Sequence, residues 1–211
     1  MGWLSSATGQ PLLAEIQRAA TPELTRVFGH SGLYLRALSG IAPELSGNML
    51  AQVISLYRQG SGFAGQVNCE ESDMPFASDS LSLVYISFVL ESSANPKALL
   101  VEFRRMLKPE GVAIVLGLNP WSPSLLRRSR TGARLRGVRG IEAMAREAGL
   151  EVMSRQFLGP SRLAGSNKIG KRWRDTLRPA YLIVLRRRDA ALTPLRKSSA
   201  AASLRPGVSL G

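Results

Sequence analysis

At 211 residues the chain can bury one substantial core but not comfortably two, and its ordinary apolar content excludes a disordered chain or a disulfide scaffold. The 28 Lys+Arg outweigh 15 Asp+Glu for a net charge of +13, a field that draws polyanions such as nucleic acid, anionic lipid headgroups or phosphorylated substrates. One cysteine, Cys69, and one histidine, His30, exclude an internal disulfide and a structural zinc site with the usual ligands, and such cysteine usage fits a reducing cytoplasm.

No segment approaches the roughly 20 apolar residues of a membrane-spanning helix. Residues 1–10 lack the basic-then-apolar pattern of a secretory signal, although Met1-Gly2-Trp3-Leu4-Ser5-Ser6 formally fits a myristoylation pattern. Leu12, Leu13, Ile16 and Ala20 share one face at helical spacing, which predicts a short amphipathic helix ending before Thr21. Residues 24–28 read as a strand broken by Gly29-His30-Ser31-Gly32, with a helical stretch over 33–39. A second strand is expected over 49–57, closed by Gly60 and Gly62, and a short third over 65–69. Residues 81–88 (LSLVYISF) have the β-branched, apolar character of a buried parallel strand. Asn95-Pro96 then supplies an N-cap and a first-turn proline, and Leu99, Phe103, Met106 and Leu107 form one stripe of a helix. Lys108-Pro109-Glu110-Gly111 stops that helix and leads into another buried strand over 112–118, completing a right-handed β-α-β unit. Residues 140–150 read as a helix with Ile141, Met144, Ala145 and Ala148 inward, and 151–157 and 180–185 as strands. The predicted organisation is an N-terminal helical extension (1–22), one domain (23–188) and a disordered basic tail (189–211). This alternation predicts an α/β fold, an open, mostly parallel, doubly wound, Rossmann-like sheet with helices on both faces.

Four motifs recur in order on the right elements. They are Asp73-Met74-Pro75-Phe76-Ala77-Ser78-Asp79-Ser80-Leu81-Ser82-Leu83-Val84, then Phe88-Val89-Leu90-Glu91-Ser92, then Asn95-Pro96 through Leu107-Lys108-Pro109-Glu110-Gly111, and Asn119-Pro120-Trp121-Ser122. Together they resemble the class I S-adenosylmethionine-dependent methyltransferases of the type 11 branch, the last motif resembling one bacterial subgroup. The resemblance spans about residues 24–188 and is strongest over 73–122. It implies a methyltransferase-type fold, S-adenosylmethionine as cofactor, and methyl transfer to an acceptor that the sequence does not identify. It places Gly29, Ser31 and Gly32 in the family's glycine-rich cofactor loop. Asp73 would accept a hydrogen bond from the adenine amine, Met74 would pack on the adenine face, and backbone at Ser87 and Phe88 would hold the methionine end. No catalytic base is assigned, because methyl transfer depends mainly on alignment of nucleophile and methyl group.

The sequence also departs from the family. Gly29-His30-Ser31-Gly32 follows Arg26-Val27 where the family has Gly-Cys-Gly-Thr-Gly after an acid, and nothing acidic between Gly47 and Gly65 closes the second strand on the ribose. Ser82 replaces an aspartate and Phe88 a histidine. Each lost hydrogen bond costs roughly 1 kcal/mol, so weakened cofactor binding is expected. A catalytically weak or inactive member acting as a basic RNA- or protein-binding module is therefore the second reading. Asp73 is alternatively a turn residue, and His30 a helix cap, a ligand-contacting loop residue or a general base. Glu91 reads either as a carboxylate meeting the substrate or as one facing solvent, and Cys69 as a small apolar filler. Arg127, Arg128, Arg130, Arg134, Arg136 and Arg139 form one basic cluster. Lys168, Lys171, Arg172, Arg174 and Arg178 form a second around Trp173. Either suits nucleic-acid or phosphate recognition, or a solvated surface. A third reading is peripheral association with anionic membrane through the tail and Trp3.

Overall fold

The computed structural model describes residues 9–40, 47–123, 134–159 and 176–189. The N-terminal pattern with Trp3, the tail beyond residue 189, and Arg127, Arg128, Arg130, Lys168, Lys171, Arg172, Trp173 and Arg174 lie outside the described residues.

The apolar run of β5 (Leu81–Ser87) forms the centre of the molecule because both of its faces are covered, and Leu83, Val84, Tyr85 and Ile86 have almost no exposure. Parallel partners flank it: β1 (Phe28–Arg36) on one edge and β6 (Leu107–Leu118) on the other. Outside β1 lies β2 (Met49–Gln59), also parallel, followed by the antiparallel β3 (Gly62–Gly65) and β4 (Cys69–Glu70). Beyond β6 the antiparallel β8 (Ala180–Arg187) and β7 (Leu150–Leu158) complete a sheet ordered β4-β3-β2-β1-β5-β6-β8-β7. The expected open, doubly wound sheet is present, with a parallel centre and antiparallel flanks.

Strand alternation sorts side chains to two covering layers. On one face α1 (Gln10–Leu24) brings Leu13, Ile16, Ala20 and Leu24 against Tyr34, Tyr85, Ile114 and Leu182. On the other, α2 (Pro96–Met106) and α3 (Val138–Glu147) bring Leu99, Phe103, Ile141 and Ala145 against Leu35, Val84, Ile86 and Val115. The α2 start follows the sequence reading: Asn95 Oδ1 accepts from the Ala98 N–H at 3.1 Å, and Pro96 occupies the first turn. Among the described residues no helix is long and apolar enough to cross a membrane.

Three local expectations are corrected. Residues 24–28 are not the first strand: α1 runs past Thr21 and Pro22 to Leu24, and β1 begins at Phe28 and continues through the stretch read as helical. Gly29, Ser31 and Gly32 are therefore strand residues paired with Leu50, Gln52 and Val53 of β2, and no cofactor loop lies there. Packing explains both glycines, since a Cβ at Gly29 would collide with the Ser82 side chain and one at Gly32 with Leu50. The third strand lies earlier than expected and folds as an antiparallel hairpin on β2, because Gly60, in the left-handed region at φ 58, reverses the chain.

One side chain closes the lower end of the sheet. The Arg187 guanidinium, only 10% exposed, pairs with Asp79 and, at 2.8 Å, with Asp189. It also donates to the carbonyls of Arg104 and Leu107, tying β8 to the turn before β5 and to the end of α2. Arg187→Met should lower unfolding free energy by about 2 kcal/mol through these stranded acceptors, measured as a reduced midpoint in denaturant titration.

Candidate functional site

In the parallel centre of the sheet the chain leaves β1 toward β2 on one side and leaves β5 toward β6 on the other. The crevice between diverging connections therefore lies at the carboxyl ends of β1 and β5. Register sets Arg36, Tyr57, Ser87 and Leu116 at one level along that edge. The Ala37 N–H donates to the Ser87 carbonyl at 3.0 Å and closes the β1–β5 ladder. Phe88 follows in the left-handed region at φ 57, sparsely used by bulky residues and held here by burial of its ring on the α1 side. Its N–H still reaches the Leu116 carbonyl at 3.0 Å. Val89 and Leu90 then drop into the core on the α2 side.

The turn folds Glu91 back inside, with 2% exposure, so the solvent-facing reading is overturned. Oε1 accepts from the Leu118 N–H at 2.6 Å, and the Glu91 carbonyl accepts from the Arg134 N–H at 3.2 Å. Oε2 is buried with no hydrogen-bond partner among the described residues. Burial raises the Glu91 carboxyl to about 7, opposed by the Leu118 N–H and by the positive charge of Arg136. Arg136 is itself fixed, donating to the Leu90 carbonyl at 3.4 Å while its own carbonyl accepts from the Tyr181 hydroxyl at 3.1 Å.

Asn119, the next residue along β6's exit, is 2% exposed and fully engaged. Its Nδ2 donates to the carbonyls of Thr176 and Arg178 at 2.7 and 2.8 Å, its N–H reaches the Pro179 carbonyl, and Oδ1 accepts from the Trp121 N–H. It thus staples the connection after β6 to the one before β8. The Trp121 side chain stands 73% exposed at this edge. Connections 119–137 and 159–179 both start and end on the carboxyl edge. They hold eleven Lys+Arg and one acid, Asp175, and so ten of the chain's thirteen net positive charges.

On the opposite flank, β2 closes with Tyr57, Arg58 and Gln59. The Arg36 guanidinium lies 5.8 Å from the Tyr57 ring centre, and that of Arg58 5.2 Å from Phe63. Arg58 pairs with Glu71 at 2.7 Å, their side chains being 10% and 15% exposed, and donates to the Ser92 carbonyl at 3.1 Å. The other Glu71 oxygen accepts from the hydroxyl of Ser93, which is 2% exposed.

Residues 28–115, from β1 through most of β6, match the family model of a methyltransferase domain. Among solved structures, a SAM-dependent methyltransferase from Aquifex aeolicus superposes with a TM-score of 0.59 at 13% identity, over 84% of this chain and 93% of that one. A Bacillus halodurans protein assigned as a methyltransferase gives 0.56 at 13% identity, over 81% and 98%. The fold is that of the class I methyltransferases. The [4+2]-cyclase SpnF superposes as well, at 0.53 and 13% identity over 82% and 80% of the two chains, so this fold alone does not fix the reaction. No curated protein matches the sequence.

Within the methyltransferase fold the expected cofactor residues divide. Ser87 and Phe88 stand at the switch point. Asp73 is exposed in the turn after β4, bridged to Glu70, and Glu70 is level with the carboxyl end of β2. Gly29, Ser31 and Gly32 sit toward the opposite end of β1, and His30 there is an exposed strand residue, neither cap nor loop residue. The loop that does follow β1 opens with Ala37-Leu38-Ser39-Gly40, and its residues 41–46 lie outside the described set. Met74 is 2% exposed in the core on the α2 side and offers no free face to a ring. Cys69 is partly buried against the same core, as a filler should be, and burial raises its thiol, assisted by Glu70 and Asp73. Asn119 stood in a motif of the resemblance without any role attached, and Glu71 and Arg58 stood in none, so the sequence pointed to none of the three. The described residues hold no cluster of metal-ligating side chains.

A carboxyl raised in the folded state holds its proton where the unfolded chain has released it. Its contribution to stability is therefore fully present below the ordinary value of 4.5, is lost as pH rises toward 7, and above that leaves the fold less stable by about 3 kcal/mol. Glu91→Gln should flatten that decline, and denaturant unfolding at pH 5 and pH 8 reads it directly.

Proposed function

We propose that the protein is an S-adenosylmethionine-dependent methyltransferase whose acceptor is an anionic, phosphate-bearing molecule such as nucleic acid. The observation that carries this reading is the switch point itself: β1 and β5 end side by side at one level, with the strained Phe88 backbone marking the crevice between them. The residues around it suit the cofactor. Carboxylates at Glu71 and Asp73 provide acceptors for hydroxyl and amine donors on the β2 flank, and backbone at Ser87 and Phe88 faces the methionine side. S-adenosylmethionine, when bound, supplies an activated methyl group. The chain's part is alignment and exclusion of water, which needs no particular residue type as base. Glu91 and Asn119 serve that part by fixing the ends of the two connections that border the crevice. The positive charge of those connections supports an anionic acceptor, and the cysteine usage supports a cytoplasmic setting.

Calorimetric titration with S-adenosylmethionine or its demethylated product tests the reading. Saturable binding is expected, with Asp73→Ala weakening it by about 1–2 kcal/mol for a lost hydrogen bond to a charged group. No detectable heat at millimolar cofactor would overturn it. For the acceptor, affinity for a single-stranded RNA should fall steeply between 50 and 200 mM salt, and a flat response would remove nucleic acid from the reading.

A further inference from the structure

The methyltransferase resemblance implies an acid at the end of the second strand on the ribose, whereas the last residues of β2 here, Tyr57-Arg58-Gln59, include an arginine and no acid. Arg58 does not leave that place basic. Its guanidinium is spent on Glu71, which reaches in from the turn after β4. We infer that Glu71, supplied from this separate segment, is the carboxylate that accepts the ribose hydroxyls of S-adenosylmethionine, and that Arg58 is the positioning residue holding it there. The inference rests on the cofactor reading above.

Three observations converge on this carboxylate. Register places it correctly: Glu70, its neighbour, is level with Gly62 and hence with Gln59, the carboxyl end of β2, while Tyr57 is level with Arg36 and Ser87. Its position is fixed from both sides. One oxygen meets Arg58, itself anchored on the Ser92 carbonyl and the Phe63 ring, and the other accepts from Ser93. The ends of β2 and β4 and the turn that follows β5 therefore meet on one side chain. Its capacity is also unspent, because an ionised carboxylate offers about four acceptor positions and these contacts occupy two. Electrostatics agrees with the exchange. An unpaired arginine beside a sulfonium cofactor would repel it, whereas the Arg58–Glu71 pair adds no net charge. The other acids are worse placed: Glu91 is sealed behind Leu118, and Glu70 is exposed and engaged with Ser61.

The experiment uses the full chain and three calorimetric probes: S-adenosylhomocysteine, adenosine and 2′,3′-dideoxyadenosine. The wild type should bind adenosine about tenfold or more tightly than the dideoxy nucleoside. Glu71→Gln should weaken S-adenosylhomocysteine by about tenfold, lower adenosine affinity likewise, and leave the dideoxy affinity unchanged, so that the ratio falls to about one. Arg58→Met should lower the same ratio, and Arg58→Lys should restore part of it. A merely structural role for Glu71 would weaken both nucleosides alike and keep the ratio, which overturns the inference. Should Glu71→Gln fail to fold by circular dichroism, Glu71→Asp, which keeps the charge and shortens the reach, must lower the ratio or the inference is overturned. Wild-type binding whose hydroxyl preference survives at Glu71→Gln refutes this assignment and leaves the methyltransferase reading standing. Absence of wild-type binding to all three removes that reading and this one with it.

Discussion

Residues 83–87 of β5 are buried on both faces and paired on both edges, so no backbone group of the strand can turn to water for a hydrogen bond. β1 and β6 must run beside it in register, and α1 and α2 must cover its two faces. Those demands fix where the next residues emerge. Ser87 leaves the sheet level with Arg36 and Leu116, and the chain has one residue in which to turn. Phe88 makes that turn in a conformation that bulky side chains rarely adopt, its ring lodged on the α1 side. The crevice is thus a geometric consequence of how completely one strand is enclosed.

Around that crevice the molecule uses polar groups where a core would use apolar ones. Glu91 and Asn119 are as buried as the leucines beneath them, yet each binds backbone from a different segment. Their role is to fix the departure points of connections that no secondary structure would otherwise hold. Asn119 suits this because its amide both donates and accepts. Glu91 meets the same need at an electrostatic cost, visible in its raised carboxyl. Arg58, Glu71 and Ser93 tie the opposite flank in the same manner.

The sequence was most legible where periodicity was unbroken. The run LSLVYISF up to Ser87, the Asn95-Pro96 cap and the α2 stripe of Leu99, Phe103 and Met106 appear where their patterns place them. Leu107, expected on the helix, instead opens β6, which begins five residues before the run VAIVLGL and takes in the expected turn over 108–111. It was least legible at β1, where two glycines imitate a loop. They are there because Leu50 and Ser82 press against the strand, a requirement set by residues far along the chain. The site was legible in outline only. Motif order located the Ser87–Phe88 turn, but the partnership of Arg58 with Glu71 joins residues thirteen positions apart, in segments whose meeting depends on the β2–β3–β4 hairpins. Asn119 lay within a recognised motif without any sign that its side chain would staple two connections.

Most of the chain's net positive charge belongs, by sequence, to the two connections that leave and rejoin the carboxyl edge. Those connections begin and end on the edge that bears the crevice, and Arg134, Arg136 and Arg178 stand at their described ends. Charge held at one edge of a body turns that edge toward a polyanion before contact. Orientation would then be largely settled in solution, and encounters would fail less often for being the wrong way round.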